Sequence, residues 1–225
     1  MITLYVASTW VLPVLVAITF HEAAHAYVAY LSGDQTARRL GRVSLNPVKH
    51  IDPFGTVLLP ALLLIIRSPF LFGYAKPVPV NFGALRNPRR DMALVALAGP
   101  GMNLALATLA ALAFHLVGHL PAEATDWVAR NLRNAVVLNV LLAVFNMLPL
   151  PPLDGGRVAV SLLPSALALP LARLEPYGML ILLGLLFLLP MVGAQIGMDL
   201  NLISYLVTGP TDVIIDLILR LTGNF

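Results

Sequence analysis

From Leu4 to Phe20 the chain carries no charged residue, and after His21-Glu22-Ala23-Ala24-His25 the apolar run resumes and continues to Leu31. A helix from Ile2 to Leu31 is long enough to cross a hydrocarbon core of roughly 30 Å. That run decides the class of the fold. In lipid every backbone N–H and C=O must be bonded within the chain, which only helices and closed barrels achieve. A run of this length far exceeds a barrel strand of about ten residues. Its interruption by two imidazoles and a carboxylate is equally telling, because such groups are costly at membrane depth and mark sites there. Positions i and i+4 share one face of a helix, so His21 and His25 can turn toward a single ion. Glu22 lies about 100° further round, where it can act as a base on water at that ion without being a ligand. A single intramembrane His is most often a hydrogen-bonded bundle residue. The full H-E-x-x-H pattern arises by chance on the order of once in a thousand chains of this composition.

Composition extends this reading to the whole chain. Of 225 residues, 59% are hydrophobic and 11% charged, about half the charged fraction of a soluble domain. The expected fold is an all-α polytopic membrane protein of about five to six membrane-embedded helices. We read one domain over residues 1–225, with a core at 1–195 and an amphipathic tail at 199–225. Because there are no cysteines, disulfides and a thiolate metal site are excluded. The first helix starts at the second residue, lacks a basic leader and is too long for a cleaved signal, so it is expected to be retained. The arginines fall in membrane-flanking loops, which accounts for the net charge of +3 without a nucleic-acid partner.

The loop from Ser32 to Asp52 carries Arg38, Arg39, Arg42 and Lys49. The next apolar run, Phe54 to Ile66, is short for a span and contains Pro60, which predicts a re-entrant or interfacial segment. From Ser68 to Phe82 the sequence is rich in Pro and aromatics and alternates at Lys76-Pro77-Val78-Pro79-Val80, which predicts extended, edge-type structure near the site. Asp91 is expected to cap a long helix reaching about Leu120. Pro121 to Arg133 is read as a charge-balanced connector, followed by a helix from about Asn134 to Leu148. A short helix, a span from Tyr177 to about Val192 and an interfacial or peripheral tail complete the chain, the last because Asp212, Asp216 and Arg220 recur at a spacing of four. Both loops flanking Phe54–Ile66 are arginine-rich, so the positive-inside rule makes them cytoplasmic if that segment dips and returns. The N-terminus is then outside, and the histidines lie ~10–15 Å below the cytoplasmic face.

A catalytic zinc takes three protein ligands and keeps one position for water. Asp154 is the candidate for the third, in Pro149-Leu150-Pro151-Pro152-Leu153-Asp154-Gly155-Gly156-Arg157. It ends the Asn134–Leu148 helix at the depth of the histidines, and two glycines let backbone approach closely. The alternative role is an N-cap on the helix that starts near Gly156.

His21-Glu22-x-x-His25 in a first helix, Ala98-Gly99-Pro100 opening into a second and Phe145-Asn146-Met147-Leu148-Pro149 leading to Leu153-Asp154-Gly155-Gly156-Arg157 resemble the site-2 protease family of intramembrane zinc metalloproteases. The resemblance covers essentially residues 1–195, with the motifs in the family's order. It implies one zinc per chain on His21, His25 and Asp154, and Glu22 as the catalytic base. Asn146 is implied to bind substrate or stabilise the oxyanion. The family often has Pro immediately before Asp-Gly, where this chain has Leu153. Members often carry a PDZ or CBS domain; this chain shows neither, like the minimal prokaryotic forms. The implied function is hydrolysis of peptide bonds in or near transmembrane segments of membrane-protein substrates, within the lipid bilayer of a prokaryotic cell membrane. Oligomeric state is left open. A membrane metal-ion transporter is the alternative, but it should spread ionisable residues along a pathway. A non-proteolytic scaffold homologue should lack Glu22 or Asp154. His50 reads as an interfacial loop residue, and His115 and His119 lie at the wrong depth for this ion.

Overall fold

The structure is a computed structural model that describes residues 4–58, 62, 65 and 76–224. Five of its helical stretches are long and apolar enough to cross a membrane: Leu4–Leu31, Pro88–His119, Ala122–Asn146, Ser165–Gln195 and Leu202–Thr222. The chain is therefore the all-α multi-pass membrane protein expected from its hydropathy.

Three helices form the centre. α1 (Leu4–Leu31) buries Ala17, Ala23, Ala24, Ala26 and Ala29, small residues that let neighbouring backbones come close where lipid offers no hydrophobic drive. α2 (Pro88–Ala113) packs along it and continues as 3-10 turns over Phe114–His119. Asp91 was expected to cap this helix from outside. Instead Asn87 is the N-cap and Pro88 the first helical residue, while the Asp91 carboxylate reaches back to accept the Asn87 N–H at 2.8 Å.

α3 (Ala122–Asn146) packs on both. Its start corrects the expectation that Pro121 to Arg133 is a connector. Those residues form its first turns, and the charges that masked the period pair on the helix surface, Asp126 with Arg130 at 2.9 Å. The Tyr5 hydroxyl donates to Asp126 at 2.6 Å and the Trp127 indole N–H to Ser8 at 3.0 Å. These bonds tie the start of α3 to that of α1.

The chain then turns through Met147–Leu153 into α4 (Asp154–Leu162), which packs on α2, and α5 (Ser165–Ala172). α6 (Gly178–Leu183) and α7 (Leu189–Gln195) are joined by a π-helical turn at Gly184–Leu188. The tail is not peripheral. It forms α8 (Leu202–Thr222), which packs on α2 and α3. Ile203 and Val207 cluster with Leu148, Leu153 and Leu182, while Ile218 packs among Ala107, Ala110, Ala111, Val136 and Val140. His115 Nε2 lies 2.6 Å from the Thr222 carbonyl at the far end. The exposed Asp216–Arg220 pair, at 2.6 Å, gave this helix its amphipathic signature.

Much of the expected re-entrant and extended stretch, at 59–61, 63–64 and 66–75, lies outside the described residues. Pro53–Leu58 is a π-helical turn. Residues 76–81 are non-helical, and no strand occurs among the described residues.

This loop region is held by Asp34, whose carboxylate is fully buried and accepts from the Thr36 N–H at 2.8 Å, the Thr36 hydroxyl at 2.5 Å and the Asn81 N–H at 2.7 Å. Burial alone would raise its pKa, but these hydrogen bonds and the nearby Arg39 hold it below the usual carboxylate range. Asp34→Ala strands three donors, at about 1–3 kcal/mol each for those left buried. We expect a fall in the melting midpoint of several degrees at pH 7, at about 2–4 °C per kcal/mol. The wild-type advantage should be complete above the unfolded carboxyl's pKa of about 3.9 and vanish as pH falls through the lower folded value. Equal midpoints for the two proteins at pH 7 would contradict this role.

Candidate metal centre

The ring nitrogens of His21 and His25 and a carboxylate oxygen of Asp154 lie within 4.8 Å of one another, and all three residues are buried. Asp154 Oδ2 is 3.2 Å from His21 Nε2 and 3.3 Å from His25 Nε2, and the two Nε2 atoms are 3.0 Å apart. α1 supplies both imidazoles from one face at a spacing of four. Asp154 arrives as the first residue of α4. Leu153 is the N-cap there, so the capping role weighed for Asp154 is not the one it plays. Gly155 and Gly156 bring Asp154 in by packing under the preceding turn: a Cβ on Gly155 would lie 2.2 Å from the Met147 carbonyl oxygen, and one on Gly156 2.6 Å from Pro151 N.

Hydrogen bonds behind the imidazoles determine which nitrogen faces the centre. Asn139 Nδ2 donates to the Ala135 carbonyl at 2.8 Å, which leaves Asn139 Oδ1 as an acceptor for Asn103 Nδ2 at 2.7 Å. Asn103 Oδ1 is then turned to His21 Nδ1 at 2.6 Å, which must carry the proton. A backbone carbonyl on α3 thus sets the tautomer of His21 on α1 through two buried amides. His25 Nδ1 faces the Val95 carbonyl at 2.6 Å, an acceptor only, so it too carries its proton outward. With both rings neutral, both Nε2 lone pairs point inward at a carboxylate. Three acceptors converge with no donor between them among the described residues, where Asp154 Oδ2 is buried without a hydrogen-bond partner. A cation satisfies all three at once. Two imidazoles and a carboxylate are a donor set suited to zinc, and His21, His25 and Asp154 could hold it. Gly99 leaves the space: a Cβ there would lie 2.4 Å from His25 Nε2 and 2.5 Å from His21 Cε1.

Glu22 is turned away from its neighbours on α1. Its Oε2 accepts the Val78 N–H at 2.9 Å. Asn146 is not drawn into the cluster; its Nδ2 bonds the Leu142 carbonyl of its own helix at 3.0 Å. His50 is a loop residue outside the cluster, as expected, but its side chain is buried, with Nε2 2.8 Å from the Ser44 carbonyl. Asn139, Val78 and the Val95 carbonyl escaped the sequence reading. Asn139, an amide amid the apolar residues of α3, carried a signal, since an intramembrane amide needs a partner. Val78 acts through its backbone and carried none.

A model of peptidase family M50 matches residues 115–189. The Bacillus subtilis protein named "Putative zinc metalloprotease YwhC" is 40% identical over 188 residues, covering 80% of this chain and 80% of its own. Mycolicibacterium smegmatis Rip2, named likewise as a zinc metalloprotease, is 32% identical over 173 residues, covering 76% of this chain and 64% of its own. Mycobacterium tuberculosis Rip2 is 35% identical over 141 residues, covering 63% and 52% respectively. The matched region thus spans about half to two thirds of the mycobacterial proteins. No solved structure matches. Given the identity and mutual coverage with the Bacillus protein, the chain belongs to peptidase family M50.

Proposed function

We propose that the protein is an intramembrane zinc metalloprotease of the site-2 protease type, cutting peptide bonds in or near transmembrane segments of other membrane proteins. The observation that carries this is the convergence of His21 and His25 ring nitrogens and the Asp154 carboxylate, with no other donor to Asp154 Oδ2 among the described residues. One zinc per chain would be held by these three residues, and when bound it supplies Lewis acidity, easing ionisation of water and polarising the scissile carbonyl. Glu22 takes the proton from the attacking water and returns one to the leaving amine. Asn103 and the Val95 carbonyl keep both imidazoles in the ligating tautomer. Asn146, at the end of α3, has a second amide N–H besides the one given to Leu142. That N–H donates to the substrate backbone or the developing oxyanion. The substrate is a transmembrane protein unwound at its cleavage site, and the centre lies nearer the cytoplasmic face of the cell membrane.

The reaction is tested by reconstituting the full chain with single-span substrates. Glu22→Gln keeps shape and hydrogen bonding, so turnover should vanish while about one zinc per chain remains. Asp154→Ala should lose the zinc as well. Asn146→Leu should lower the rate on the order of a hundredfold with zinc and melting temperature close to wild type. Cleavage by Glu22→Gln would remove the base, and undiminished zinc in Asp154→Ala would remove the third ligand.

Orientation is tested by cysteine labelling in intact cells. Cysteines at Arg39 and Arg89 should both react from the cytoplasmic side and one at Ala124 from outside. Opposite sides for Arg39 and Arg89 would mean that the intervening segment crosses the membrane.

A further inference from the structure

Several buried ionisable residues take no part in the chemistry above, and three of them border the stretch that meets Glu22. Asp34 is 0% exposed, Arg42 8% and His50 2%. Asp34 and Arg42 through their side chains, and His50 through its backbone carbonyl, meet one short stretch, residues 76–81. The Lys76 N–H donates to the His50 carbonyl at 3.0 Å. Arg42 Nη2 donates to the Lys76 carbonyl at 2.6 Å and reaches the Pro77 carbonyl at 3.4 Å. The Asn81 N–H is held by Asp34 at 2.7 Å. The stretch is thus fixed at both ends.

Its middle reads Pro77-Val78-Pro79. Neither proline has an N–H, so Val78 supplies the one backbone donor of the three. Lys76 and Val78 each precede a proline, which disfavours the helical region for both and keeps the backbone extended. The Val78 side chain seats the stretch against Ala26 of α1 and Ala37. What this stiff bracket delivers to α1 is a single N–H, and it meets Glu22 Oε2 at 2.9 Å. Glu22 Oε1 has no partner among the described residues.

We infer that Val78 is a positioning residue for the reaction: its N–H fixes Glu22 by one carboxylate oxygen and presents the other to the reacting water. Asp34, Arg42 and His50 hold that N–H in place. The inference rests on Glu22 being the base. An unheld glutamate side chain would divide its time among rotamers, most of them facing away from the water. A displacement of about 1 Å is enough to lower a rate on the order of a hundredfold.

The test separates the N–H from the side chain. Val78→Pro joins Pro77 and Pro79 into a run of prolines and removes the donor together with some packing. Val78→Ala keeps the donor and loses more packing. In reconstituted full-length protein, kcat of Val78→Pro should fall tens- to a hundredfold below that of Val78→Ala. KM should match between the two, and each should keep its zinc. Replacing the Pro77–Val78 amide by an ester, through the hydroxy-acid analogue of valine, removes the donor with the side chain intact and should reproduce the loss. In metal-free protein, infrared difference spectra against Glu22→Gln isolate the Glu22 carboxylate band, which should shift in Val78→Pro and not in Val78→Ala. Equal kcat in the two variants, a change confined to KM, or an unshifted band would overturn the positioning role. Activity surviving in Glu22→Gln would instead overturn the base assignment on which it rests.

Discussion

The structure depends on three lone pairs brought together in a buried cluster, with no donor from the described residues between them. Two imidazole Nε2 atoms and a carboxylate oxygen face one another across 3.0–3.3 Å. Left uncompensated, a buried carboxylate in this setting costs several kcal/mol. The surroundings enforce the arrangement rather than relieve it. The Asn139–Asn103 pair and the Val95 carbonyl each take the outward proton of an imidazole. Gly99 and Gly155 allow approaches that any Cβ would block. Burying these groups together costs stability that packing elsewhere in the bundle must offset.

The bundle serves that space. α1, α2 and α3 meet through alanines, glycines and buried amides, and α8 closes the groove between α2 and α3 along their length. The 76–81 stretch brings a loop to α1 and is tied down by the buried side chains of Asp34 and Arg42. The His21–His25–Asp154 cluster and the Glu22 carboxylate thus stand on different supports. The helices hold the cluster, and the loop holds the carboxylate.

The parts of this architecture legible in the sequence are those written in side chains at fixed spacing. The uncharged run before His21 announces a membrane helix, and H-E-x-x-H announces two imidazoles on one face of it. Asp-Gly-Gly after a proline-broken helix points to the residue that joins them. Less legible were features where one signal hid another. Asp126 and Arg130 made the first turns of α3 look like a loop, although their spacing of four suits a helix surface. Asp212, Asp216 and Arg220 made α8 look peripheral, although its opposite face is apolar enough to pack at the centre. Asn146 matched a motif, yet its place in the chemistry depends on substrate contacts that no spacing encodes. Val78 was invisible because its contribution is a backbone N–H, isolated by two prolines whose meaning emerges only in three dimensions.

The central claim is that His21, His25 and Asp154 coordinate zinc in an open site. X-ray absorption at the zinc edge, on purified full-length protein and on Asp154→Ala, tests it most directly. The account predicts a four-coordinate nitrogen and oxygen shell at about 2.0–2.2 Å with two imidazole signatures, losing one oxygen or the metal itself in the variant. A spectrum with fewer than two imidazoles, or one unchanged by Asp154→Ala, would contradict it.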